Sequence, residues 1–142
     1  MLKKTITYTD FNDVEKTEDF FFNLTKAELM KLELGIEGGL GEYTKKLIAE
    51  KNISDLISLM EKIVITSYGE KTEDGKNFVF VKNPMMQEAF MQTDAYSNLF
   101  MELITDEQAG AAFINGVMPH DMKMDDIQMA KATEEAKQLL GE

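Results

Sequence analysis

The 142-residue chain has no cysteine, no arginine, two prolines and one histidine. Without thiols it forms no disulfide, zinc–thiolate or iron–sulfur site and offers no thiol nucleophile, a composition that suits a reducing compartment. All 15 basic residues are lysine, set against 26 carboxylates, for a formal charge of −11. Neutralised phosphates supply nucleic-acid affinity and arginine forks supply much of base readout, so this balance argues against a nucleic-acid partner and for protein partners. No apolar run approaches the roughly 20 residues that span a bilayer. Met1-Leu2-Lys3-Lys4 leads into alternating threonines rather than the apolar stretch of a signal peptide. The expectation is a protein that stays in the cytoplasm where it is made, neither secreted nor membrane-bound.

What is present is the composition of one folded domain, 44% hydrophobic and 29% charged. Residues 3–24 read as a β-hairpin: Ile6 and Tyr8 alternate with Thr5, Thr7 and Thr9, Asn12-Asp13 supplies the turn, and Phe20-Phe21-Phe22 closes the second arm. A lone hairpin is marginal and must lay its aromatic side on something. Thr25 and Glu28 fit a capping box for a first helix that stops at Gly35. Gly38-Gly39 separates it from a second helix carrying Leu40, Tyr43, Leu47 and Ile48. Ser54 is placed to cap a third, whose Leu56, Ile57, Met60, Ile63 and Val64 form an apolar stripe assigned to the core.

From Ser67 to Pro84 the pattern dissolves into a loop, with Phe78-Val79-Phe80-Val81 as a short β segment. Pro84 opens a fourth helix. Thr93 or Asp94 caps a fifth, in which Tyr96, Leu99, Phe100, Leu103 and Ile104 span about 140° of its circumference, the first four assigned to the core. Thr105 with Gln108 repeats the capping-box signal; Ala109, Ala112 and Phe113 form the buried side of the sixth helix, and Asn115-Gly116 ends it. The expected fold is mainly α within an α+β class. It has an N-terminal hairpin and a compact bundle of five to six short helices over residues 25–119, interrupted by a loop at about 67–83. A loosely docked helical tail over 120–142 completes the chain.

Assembled chemistry is absent. His120 stands alone in a loop without the partners that a base or metal site requires. Asp121, Asp125 and Asp126 lack calcium-loop spacing, and Gly35, Gly38, Gly39 and Gly41 have neither the preceding strand nor the following Lys-Ser/Thr of a phosphate loop. No catalytic residue, metal or cofactor is expected, and the protein is not read as an enzyme. Methionine is the compositional oddity: eight of 11 lie from Met85 onward. Flexible, polarizable methionine suits surfaces that accept varied apolar helices. Met91 and Met101 are read as fillers of core gaps. Met85, Met86, Met118, Met122, Met124, Ile127 and Met129 are the candidate client-binding residues, those from Met118 onward because acidic neighbours disfavour their full burial.

Several ordered patterns carry a family resemblance: Phe22-Asn23-Leu24-Thr25-Lys26-Ala27-Glu28-Leu29 after the hairpin, the Glu37-Gly38-Gly39-Leu40 break, Ser67-Tyr68-Gly69-Glu70-Lys71, Thr93-Asp94-Ala95-Tyr96 through Leu99-Phe100-Met101-Glu102-Leu103, and Ala112-Phe113-Ile114-Asn115-Gly116. Over residues 3–119 the chain resembles tail assembly chaperones of long-tailed, siphovirus-type phages of Gram-positive bacteria. The resemblance implies a late, non-virion protein that binds the tape-measure protein, keeps it soluble and promotes tail-tube assembly. It also implies a longer frameshifted form that recruits the tail-tube protein, with this chain as the short form. Residues 120–142 match none of these patterns. Weak homo-oligomerisation along an extended client is a further expectation. The competing readings are a head–tail adaptor retained in the virion and, more distantly, an acidic DNA mimic, although lysines interrupt nearly every acidic stretch.

Overall fold

A computed structural model describes residues 1–74 and 77–119. Strands β1 (Leu2–Thr9) and β2 (Glu15–Phe22) precede helices α1 (Lys26–Leu34), α2 (Gly39–Ala49) and α3 (Ile53–Ser67). Strands β3 (Tyr68–Asp74) and β4 (Asn77–Val81) follow, then α4 (Pro84–Met91), α5 (Asp94–Thr105) and α6 (Glu107–Val117). Among the described residues this is the expected α+β class, with its N-terminal hairpin and six helices. The tail helix expected over 120–142, with His120, Met122, Met124, Ile127 and Met129, lies outside the described residues.

The first hairpin pairs Leu2 with Phe22 through Thr9 with Glu15. Asp13 at φ 61° makes its turn, the left-handed conformation that Asn and Asp tolerate. Register follows from the pleat. Leu2, Ile6, Tyr8, Phe20 and Phe22 join the core, while Thr7 and Thr17 hydrogen-bond across the outer face at 2.9 Å. Strand order is β1-β2-β3-β4, all neighbours antiparallel, with β3 joined to β2 only through Phe21–Gly69 and Phe22–Tyr68.

The core lies between this sheet and α3–α6. Phe22 is fully buried and meets Tyr68, Phe90 and Phe113 at centroid distances of 5.7, 5.9 and 5.1 Å. Tyr96, Leu99, Leu103, Phe113 and Ile63 are buried in the same cluster, with Phe100 and Met60 packed against it. Helix α5 packs on β1, where Asn98 donates to the Thr7 carbonyl at 3.2 Å and Lys4 pairs with Glu102 at 3.3 Å.

Several expectations are corrected. The stretch expected as a loop holds more than its short β segment: Ser67 ends α3, the segment at residues 78–81 is part of β4 as expected, and Tyr68–Asp74 forms a further strand, β3, that pairs with it. Leu56 and Ile57 are only half-buried and stand outside the main cluster, because the stripe of α3 runs beyond the helices that cover its C-terminal half. Met101 is exposed rather than filling the core. Asn52, not Ser54, caps α3 by accepting from the Asp55 amide, and Asp106, not Thr105, caps α6. Within α6, Gly110 rather than Ala112 faces inward: a Cβ there would lie 2.9 Å from the Leu103 carbonyl. Gly116 does not end the helix, which continues to Val117; its missing side chain makes room for Leu2.

Candidate protein-binding groove

The junction of the two hairpins with α4 forms a groove of about 390 Å³. Its floor is aromatic. Tyr68 and Phe90 stack at 3.9 Å with rings 6° from parallel, and Phe20 approaches Phe90 at 5.4 Å. Met85, Met86 and Ala89 of α4 form one wall, with Asn83, Thr93 and Glu70 at the polar margin. The sequence dictates this locally. Period-two alternation puts Phe20 beside Phe22 on the inner face of β2, and Tyr68 starts β3 directly at the end of α3.

Helix α4 is held over the floor by its own cap and by contacts from both sides. The Asn83 side chain accepts from the Met86 amide at 2.7 Å, with Pro84 in the first turn, and Gln87 donates to the Tyr68 carbonyl at 3.3 Å. Just before it, the half-buried Lys82 ammonium donates to the Asn23 carbonyl and to Glu28 Oε1, the second at 2.6 Å. That carboxylate also accepts the Thr25 amide and so completes the capping box of α1. One lysine thereby ties the start of α4 to the start of α1.

Tyr68 and Glu70 are the ionisable side chains among the described lining residues. Burial, reinforced by the Glu70 charge, pushes the Tyr68 hydroxyl up to about 12. Such a groove is equipped to receive apolar side chains, not to move protons. Among the described residues no group of three or more His, Asp or Glu side chains is arranged to hold a metal. No helix among them is long and apolar enough to cross a membrane. A second cleft of about 700 Å³ lies between the Gly35–Gly38 turn, α2 and α3. Its walls mix Glu37, Glu42 and Asp55 with Lys46 and Lys62, and Tyr43 is the single aromatic among its described lining residues.

The candidate client-binding residues divide. Met85 is 82% exposed on the groove wall and Met86 is half-buried beside it. Met118 is corrected: at 7% exposure it is an interior residue, because the end of α6 is drawn inward where the Leu24 amide donates to the Val117 carbonyl. Sequence reasoning missed Phe20, Tyr68 and Phe90 as a floor. The available signal was the alternation that sets Phe20 on the core side of its strand without enough neighbours to cover it.

Neither curated proteins nor solved structures yield a match to this chain. A family model described as phage tail assembly chaperone matches residues 1–140, which brings most of the segment after Pro119 into the family pattern. With nearly its whole length matched, the chain belongs to a phage tail assembly chaperone family.

Proposed function

We propose that this protein is the short, non-frameshifted chaperone of a siphovirus-type phage of a Gram-positive host. Its client is the long, helix-rich tape-measure protein. It shields apolar helix faces in the host cytoplasm, delivers the client to tail-tube assembly and departs before the virion is finished. A longer frameshifted form recruits the tube protein.

The carrying observation is the groove: an aromatic floor under a methionine-bearing helix, with Met85 82% exposed, on a chain of net charge −11. An amphipathic helix presents side chains at i, i+3 and i+4 that such a groove accepts, and methionine adapts its shape to different sequences along one client. Strong like charge keeps the loaded complexes apart.

Co-expression with the tape-measure protein of the same phage tests the proposal. The natural chain should hold that client in the soluble fraction. Met85→Glu combined with Ala89→Glu, both at exposed positions, should lose this while thermal unfolding stays unchanged. Equal client solubility with the double variant would remove the groove from the account, and abundant peptides of this chain in purified particles would overturn the transient role.

A further inference from the structure

The two edges of the sheet are treated differently. At β1, helix α5 packs against the strand, and the strand itself carries Lys3 and Lys4. At the other edge, among the described residues, β4 pairs with β3 alone. Its residues Phe78-Val79-Phe80-Val81 contain no charge and no proline, and Phe78 and Val79 are 68% and 40% exposed. Natural sheets guard such edges with lysine, proline, bulges or a covering element, because a bare row of backbone donors and acceptors templates another strand. Here none of these devices falls within the four residues. The arm is also thinly supported: β3 joins the β2 ladder only at Tyr68 and Gly69, so from Glu70 onward the ladder has two strands, a marginal arrangement, steadied by Lys71 over the Phe21 ring at 5.4 Å.

We propose that β4 is a self-association edge, pairing antiparallel with β4 of a second copy. A helical client has no use for a strand edge, whereas a second copy supplies a strand of matching length and chemistry. The pleat fixes the register. Opposed residues share a face, so a two-fold axis normal to the sheet must set one residue against itself, and full overlap of Asn77–Val81 selects Val79. Phe78 then faces Phe80 of the other copy in both directions, an aromatic cross-strand pair repeated twice.

Side chains leave this approach open. The Phe80 ring leans back across β3, where a Cβ on Gly69 would lie 2.6 Å from it. Charge favours this edge over others on so acidic a molecule. The strand is uncharged, and two ammonium groups sit over its rings, Lys71 at 4.5 Å from the Phe78 centroid and Lys82 at 5.8 Å from that of Phe80. Two copies therefore meet where neither presents a carboxylate from the pairing strand.

Sedimentation of the full chain across a concentration series provides the first test. The natural protein should pass from monomer to dimer as concentration rises, and Phe78→Lys with Val79→Lys should weaken that step at least tenfold with circular dichroism unchanged. Because the chain has no cysteine, single replacements at 78, 79, 80 and 81 give an independent readout. Under mild oxidation Val79→Cys should form the most disulfide-linked dimer, since self-opposed Cβ atoms come within bridging range. A monomer at every concentration, a lysine variant that dimerises as well as the parent, or cross-linking no greater at 79 than at its neighbours would each overturn the proposal.

Discussion

Gly39 and Gly41 sit two residues apart in the first turn of α2, yet physical chemistry assigns them opposite tolerances. Gly39 has φ 88°, and a Cβ there would collide with the Glu33 carboxylate, whose other oxygen accepts the Leu40 amide at 3.1 Å. Gly39→Ala should therefore cost about 1–3 kcal/mol in urea denaturation, from left-handed strain and displacement of that carboxylate from the helix start. At Gly41 nothing lies within 4 Å of an added Cβ. Gly41→Ala should raise stability by about 0.5–1 kcal/mol by restricting the unfolded chain. Titration adds a second prediction. Burial lifts the hydroxyls of Tyr68 and Tyr96 from 10.0 to about 12, aided by Glu70 and Glu61 respectively. The unfolded chain ionises first, so their contribution is complete below pH 10 and is lost as pH rises from 10 towards 12. Each contributes a slope of at most about 1.4 kcal/mol per pH unit. Denaturation at pH 9, 10 and 11 should show the decline, and Tyr68→Phe should make it shallower.

The helix starts show why some elements were legible in the sequence and others were not. Thr25 and Glu28 cap α1 as their spacing dictates, since both halves of the reciprocal pair form. At α6 the same spacing of Thr105 and Gln108 misleads. The Thr105 hydroxyl donates back to the Met101 carbonyl at 2.6 Å, and Asp106 Oδ1 accepts from the Gln108 and Ala109 amides instead. Asp106→Ala should thus destabilise by about 1 kcal/mol in chemical denaturation, and Thr105→Ala by clearly less, an order the capping-box reading reverses. In the second hairpin residues 78–81 were legible as a β segment, while their partner β3 escaped for a related reason. Tyr68-Gly69-Glu70-Lys71-Thr72-Glu73-Asp74 has no apolar alternation, and it is a strand because β4 and the end of β2 pair with it. Long periodic runs such as Tyr96–Leu103 announce themselves. Of the groove, Met85 and Met86 were visible as an unusual pair, but its floor draws Phe20, Tyr68 and Phe90 from three separated segments that only tertiary packing unites. Met118 shows the converse: His120 and Asp121 follow it closely in sequence, whereas in space it is buried at the end of α6.

A charge of −11 on every copy governs how this molecule meets itself. A folded chain of this length has a radius of gyration of about 14–15 Å, so two copies joined edge to edge place their charge centres about 30 Å apart. At about 0.01 M salt the Debye length is also about 30 Å and the whole excess repels; at about 0.1 M it is about 10 Å and most of that repulsion is screened. Pairing through β4 gains its attraction from backbone hydrogen bonds and apolar rings, which salt barely weakens. Dimerisation should therefore tighten at least tenfold between these two conditions, measured by sedimentation at fixed pH. Association held instead by lysine ammonium groups of one copy on carboxylates of another would weaken over the same interval, since exposed ion pairs are screened. The sign of the salt dependence separates an uncharged strand edge from a charged contact even before any residue is changed.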